Sequence, residues 1–174
     1  NSSGTAYTTL ATMMQLFGED GGFDYMKGLH ANINQYTKSG SAPIKAAGRG
    51  ETTIGIVFMH DAVKQAVAGF PVKVVAPAEG TGYEIGSMSI IDGARNMDEA
   101  KIFYDWALSA DAQNLALQVN AFQVPSNMGA QTSDSAPDMS SIKLIDYDFK
   151  TYGSSATRKR LLKKWDDEVS VLPQ

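Results

Sequence analysis

The chain has 174 residues, 43% of them hydrophobic and 20% charged, the balance of an ordinary globular protein without a disorder signature. A formal net charge of −4 argues against nucleic acid as a partner. No run approaches the roughly 20 apolar residues that a spanning helix needs, and the lack of cysteine excludes disulfides, thiolate metal sites and cysteine nucleophiles.

The opening Asn1-Ser2-Ser3-Gly4 has neither an initiator Met nor a signal peptide, so the expectation is a piece of a longer protein. Ser3-Gly4-Thr5 starts a helix predicted to reach about Phe17, with Ala6, Leu10, Met13, Met14 and Phe17 at helical spacing and Gly18 as its stop. A second helix is predicted from Phe23 to about Asn32, then a short strand from Ile33 to Tyr36. Ser41 to Gly50 reads as a short helix with Pro43 in its first turn. Ile54 to Met59 is wholly apolar and β-branched in part, which predicts a strand buried on both faces. His60 to Gly69 is helical, Val72 to Val75 a strand, and Gly80-Thr81-Gly82 leads into a strand from Tyr83 to Ile91. The longest helical region runs from Met97 to about Asn120 with a break near Ser109. Val124 to Pro137 is loop-rich, and Arg158 to Val169 is a charged terminal helix. Strands alternating with helices predict an α/β fold.

Four features bear on chemistry. Ser3-Gly4-Thr5 stands at a helix start, where free N–H groups and the positive dipole end suit a phosphate or carboxylate; the plain alternative is an N-cap by Ser3. Lys38-Ser39-Gly40-Ser41 repeats that logic ahead of the helix containing Pro43, with a capped turn as the alternative. His60-Asp61 follows the apolar strand, where ligands bind in parallel sheets; alternatively Asp61 caps the next helix and His60 is satisfied in packing. No G-x-S-x-G elbow supplies a nucleophile for His60, and neither His30 nor His60 has metal-motif spacing. Glu79-Gly80-Thr81-Gly82-Tyr83-Glu84-Ile85-Gly86 reads as a hinge between two strands, where Glu84 is either an acceptor for a polyhydroxylated ligand or a solvated turn carboxylate.

The order of these pieces carries a resemblance. Ser-Gly-Thr, then Ser-Gly-Ser, then Gly50-Glu51-x-x-x-Gly55-Ile56 leads to His60-Asp61. The Gly-Thr-Gly-Tyr-Glu hinge, Asp105-Trp-Ala-Leu-Ser-Ala-Asp-Ala-Gln113 and Lys143-Leu-Ile-Asp-Tyr-Asp-Phe149 follow. Over essentially its whole length the chain resembles the C-terminal half of a periplasmic substrate-binding protein of an ABC transporter, in the ferric-iron-binding branch. The resemblance implies an α/β fold made of one lobe of a type II periplasmic binding protein plus a segment returning to the other lobe. It divides the chain into a lobe at 1–77, a hinge at 78–86 and a return segment at 87–174, with two Gly-rich hinge strands carrying lobe rotation.

Ferric-binding members place two adjacent tyrosines after the Gly-Ile strand, where this chain has His60-Asp61. One imidazole and one carboxylate make a poor cage for a hard cation. The pattern is similar to the hexose-phosphate-binding members. By that likeness Ser3, Gly4, Thr5 and Ser39 hold the phosphate, and His60, Asp61 and Glu84 hold sugar hydroxyls, with no metal, no cofactor and no catalysis. The implied partners are a hexose phosphate and an inner-membrane ABC permease, and the implied location is the periplasm. The alternatives are a ferric iron or phosphate/phosphonate binder of the same fold, or a phosphatase-like hydrolase using His60-Asp61. Apolar surface on the return segment from about Ile85 predicts self-association.

Overall fold

The computed structural model describes residues 3–173. Asn1 and Ser2, the first half of the Asn-Ser-Ser-Gly opening, lie outside the described residues. Seven α-helices are described, α1 (Gly4–His30), α2 (Ala42–Gly48), α3 (Met59–Val67), α4 (Met97–Ala107), α5 (Ala110–Gln118), α6 (Phe149–Tyr152) and α7 (Ser155–Glu168), with a single 3₁₀ turn at Met139–Ser141.

The predicted stop at Gly18 is a kink. Gly18 has φ 73° and ψ 167°, a left-handed conformation that glycine enters without Cβ strain, and the second helical stretch resumes directly after it instead of waiting for Phe23. Before the kink, Tyr7, Leu10, Ala11 and Met14 are buried at i, i+3, i+4 and i+7, one stripe of the helix. Beyond it, Phe23 and Met26 extend the same core, closed by Tyr147, Leu161 and Val169 from the end of the chain. Burial of side chains this large stabilises by about 1.5–3 kcal/mol each.

Polar contacts fix how α7 lies on α1. Arg160 grips Glu19 with both terminal nitrogens, at 2.6 and 2.8 Å, just past the kink. The Lys164 ammonium sits 4.5 Å from the centre of the Phe23 ring. The Tyr7 hydroxyl donates to the Tyr152 carbonyl at 2.6 Å. The last helices of the chain are therefore locked onto its first.

α2 and α3 pack on each other through buried Ile44, Ala62 and Val63. The α4–α5 break falls at Ser109, as the sequence predicts, because its hydroxyl accepts the Ala112 N–H at 3.2 Å and caps α5. Gln113 and Asn114 of α5 then hold the following loop by accepting the Asn127 and Gln131 N–H groups at 2.9 and 2.7 Å. Neither α4 nor α5 has a buried residue, and Ile102 and Phe103 are 70% and 62% exposed.

The four predicted strands need correction. Among the described residues, Ile33–Tyr36, Ile54–Phe58, Val72–Val75 and Tyr83–Ile91 form no strand ladder, and Met59 belongs to α3. The apolar run expected to be buried on both faces leaves Ile54 and Ile56 76% and 45% exposed. Composition reports that a segment suits a sheet, whereas a ladder requires another backbone about 4.8 Å away. These segments lack that neighbour. One parallel bridge does form, Thr81 with Leu144: the Thr81 N–H donates to the Lys143 carbonyl at 2.9 Å and the Ile145 N–H to the Thr81 carbonyl at 3.0 Å. The predicted hinge thus runs beside a second segment, Lys143–Ile145, which contains no glycine.

Candidate ligand site at the start of the first helix

α1 presents its N-terminus to a cavity of about 620 Å³. Ser3, Thr5, Ser39 and Gly40 all line it, so the two Ser-Gly loops, far apart in sequence, converge on one space. Gly40 makes that approach possible: a Cβ there would collide with the Thr5 hydroxyl and lie 3.5 Å from the Ser3 hydroxyl. Ser3 occupies the N-cap position with extended backbone, but its side chain makes no capping hydrogen bond. The capping alternative for Ser3 therefore does not hold, and its hydroxyl stays available beside the helix dipole. The Thr37 hydroxyl donates to the Ser39 carbonyl at 2.8 Å, and the Ser39 and Ser41 hydroxyls lie 3.4 Å apart, which orders the second loop.

Glu84 arrives at the same helix end from the hinge. The Thr8 hydroxyl, buried one turn after Gly4, donates to Glu84 Oε1 at 3.1 Å and approaches the Gly4 carbonyl at 3.2 Å. A Cβ on Gly4 would lie 3.4 Å from that carboxylate oxygen, at van der Waals contact, so Glu84 rests against the first turn of α1. An aromatic cluster backs it, with Tyr83 and Tyr147 packed on Phe149 at 5.3 and 4.7 Å between ring centres. Burial pushes the Tyr147 hydroxyl up to about 12, with lesser contributions from Tyr7 and the Glu84 charge. Thr8 is the hydrogen-bond partner of Glu84 that sequence reading missed; the available signal was a hydroxyl four residues, one helical turn, beyond Gly4.

His60 and Asp61 lie in the first turn of α3, whose N-cap position is Phe58, so Asp61 is not the cap. The His60 ring stacks on Phe58 with centres 5.7 Å apart, and its Nε2 lies 3.8 Å from Asp61 Oδ2. Both side chains are partly open to solvent, at 30% and 26%. Among the described residues no hydrogen bond, ion pair or ring contact joins them to Ser3, Gly4, Thr5, Ser39 or Glu84. The structure therefore gathers five of the seven predicted site residues around the start of α1 and keeps His60-Asp61 as a separate pair. His30, the other histidine, is buried between the Tyr36 hydroxyl and the Leu172 carbonyl, each at 2.9 Å.

Chemically, the α1 end offers N–H groups, three hydroxyls and one carboxylate. That set suits a ligand with an anionic end and hydroxyl donors nearby.

Residues 1–151 match the model of a family described as bacterial extracellular solute-binding protein. An uncharacterized protein of Haemophilus influenzae is 50% identical over 171 residues, 98% of this chain and 49% of that protein. Among solved structures, the periplasmic binding protein AfuA from Actinobacillus pleuropneumoniae, with exogenous fructose-6-phosphate bound, is similar at 53% identity and a TM-score of 0.92. That match covers 98% of this chain and 54% of AfuA. The periplasmic binding protein P5PA is similar at 41% identity and a TM-score of 0.88, over 97% of this chain and 54% of that one. The chain spans about half the length of the relatives it matches.

Proposed function

Because the chain belongs to the bacterial extracellular solute-binding protein family and carries one lobe of the periplasmic-binding-protein fold with its returning segment, we propose that it binds a hexose phosphate for an ABC importer. The observation that carries this reading is the convergence of Ser3, Thr5 and Ser39 on one cavity at a helix N-terminus, with Glu84 beside it. Ser3, Gly4, Thr5 and Ser39 take the phosphate, whose charge is matched by the helix dipole and hydroxyl donors. Glu84, seated against the first turn of α1, accepts from a sugar hydroxyl. His60 and Asp61 take more distant hydroxyls once the site closes around the ligand. The bound state of AfuA supports this choice of cargo.

The proposed division is a lobe at 1–77, a hinge at 78–86 and a return segment from 87, with the correction that the end of that segment, α6 and α7, packs on α1 of the first lobe and not on the other lobe. The work is binding, not turnover. The protein acts in the periplasm and hands its ligand to a membrane permease.

A second reading, phosphate or phosphonate alone, is favoured by the separation of His60-Asp61 from the cavity. Thermal shift distinguishes them, since a ligand that binds the folded state raises Tm. Fructose 6-phosphate and glucose 6-phosphate are expected to raise it more than fructose, glucose or inorganic phosphate. Equal shifts with inorganic phosphate and the sugar phosphates would overturn the hexose part. Release of phosphate from either ester would overturn the binding reading altogether.

A further inference from the structure

We propose that Thr8 is a positioning residue for ligand binding, a role that rests on the reading of Glu84 as the acceptor for a sugar hydroxyl. The Thr8 hydroxyl holds one oxygen of the Glu84 carboxylate, so that the other is presented to the ligand. The segment 80–84 lies in register with α1. Gly82 meets the helix at Thr12, where an added Cβ would overlap the Thr12 hydroxyl. Glu84 meets it one turn earlier, at Thr8 and Gly4, and Gly80 one turn later, where an added Cβ would lie 3.8 Å from the Leu16 side chain. Alternate residues of the segment thus match successive turns of the helix, because two extended residues span about 6.6 Å and four helical residues about 6.0 Å. On its far side the segment is held through the Thr81 backbone by Lys143 and Ile145, and by the Tyr147 ring, 3.3 Å from an added Cβ on Gly82. Glu84 stands where this docked run ends: Gly80 is buried, 81–83 are half-buried, and 84–89 are exposed.

Hydrogen-bond chemistry gives Thr8 its part. Thr8, Thr9 and Thr12 all direct a hydroxyl to the carbonyl four residues earlier. Thr9 and Thr12 do so at 3.0 and 2.7 Å, whereas Thr8 stands 3.2 Å from its carbonyl and 3.1 Å from Glu84 Oε1. A hydroxyl has one proton to give, and a carboxylate is the stronger acceptor. The Thr8 proton therefore goes to Glu84. Thr8 is itself buried, so the contact is shielded from solvent. Among the described residues Glu84 Oε2 has no hydrogen-bond partner, which leaves it to accept from a ligand hydroxyl. Without the Thr8 hydroxyl the carboxylate is free to turn about its last bond, and the direction of the acceptor is lost.

Calorimetry with fructose 6-phosphate and inorganic phosphate tests the role on Thr8→Val, Thr8→Ser, Glu84→Ala and the Thr8→Val/Glu84→Ala double variant, each shown by a thermal scan to be folded. Thr8→Val is expected to weaken fructose 6-phosphate about tenfold, the effect of one hydrogen bond to a charged group, and to leave inorganic phosphate within about twofold. Thr8→Ser is expected to restore the parent affinity. In the Glu84→Ala background Thr8→Val is expected to cost nothing further, since the residue acts through that carboxylate. Thr8→Ala repeats the measurement without an added methyl beside the carboxylate. Parent affinity for the sugar phosphate in both Thr8→Val and Thr8→Ala would overturn the role of Thr8. So would an equal loss for inorganic phosphate, or an undiminished loss with Glu84 already removed. A Glu84→Ala variant that binds fructose 6-phosphate like the parent would instead overturn the underlying reading of Glu84, and the role of Thr8 with it.

Discussion

At the scale of single residues, the candidate site rests on short contacts that the sequence only half discloses. Ser3, Gly4, Thr5 and Ser39 were legible because their logic is local: small residues and hydroxyls next to a helix start. That Gly40 seats against Thr5 was not legible, since it depends on how a kinked helix brings its own beginning near a distant loop. The place of Glu84 was also hidden, because a carboxylate in a hinge carries no mark of the helix that will receive it. Thr8→Val is expected to destabilise by about 1–2 kcal/mol in urea titration, since it takes the donor from Glu84 and fills the same space with a methyl. Ser39→Ala is expected to weaken fructose 6-phosphate binding about tenfold by calorimetry, the effect of roughly one charge-assisted hydrogen bond, about 1.4 kcal/mol. An unchanged affinity would remove Ser39 from the site.

At the scale of elements, most helices were read to within a turn, α6 and the 3₁₀ turn at Met139–Ser141 were not foreseen, and the individual strands form no ladder among the described residues. Helix ends are set by nearby residues such as Pro43 and Ser109, whereas a strand is completed by backbone elsewhere. The apolar run at 54–58 shows the limit: its composition fits a strand buried on both faces, yet it joins no ladder and leaves Ile54 and Ile56 exposed. The α1–α7 pair, by contrast, is complete. Leu161 is fully buried between the two helices, and Leu161→Ala is expected to cost about 2–5 kcal/mol, read as an earlier denaturation midpoint. The Arg160 fork holds the Glu19 carboxyl below its ordinary value of 4.5. Its contribution is therefore full above that value and is lost as pH falls through the lower, folded value. The pair is partly exposed and solvent-screened, so Arg160→Met is expected to cost only about 0.5 kcal/mol at neutral pH. Acid titration should show the difference from the parent vanishing once Glu19 is protonated in both states.

At the scale of the whole molecule, two properties follow from where the core lies. Tyr7, Tyr36, Tyr147 and Tyr152 all have hydroxyls raised by burial, Tyr147 to about 12 from 10.0. A raised folded value means stability that is full below the unfolded value and is lost as pH climbs through the folded one. Circular dichroism should therefore show the fold weakening from about pH 10 upward, steeply by 12, with Tyr147→Phe moving the onset to higher pH. The α4–α5 hairpin stands apart from that core with Ile102, Phe103 and Trp106 in the open, a surface suited to being covered. The other end of the chain behaves differently. A carbonyl only accepts, so the contact from Leu172 fixes the His30 ring proton on Nε2 and leaves Nδ1 as a lone pair for the Tyr36 hydroxyl. The tail thus chooses the tautomer of a ring 142 residues upstream. A chain shortened before Leu172 would release that choice, and the nitrogen resonances of His30 would record it as a mixture of two imidazole forms.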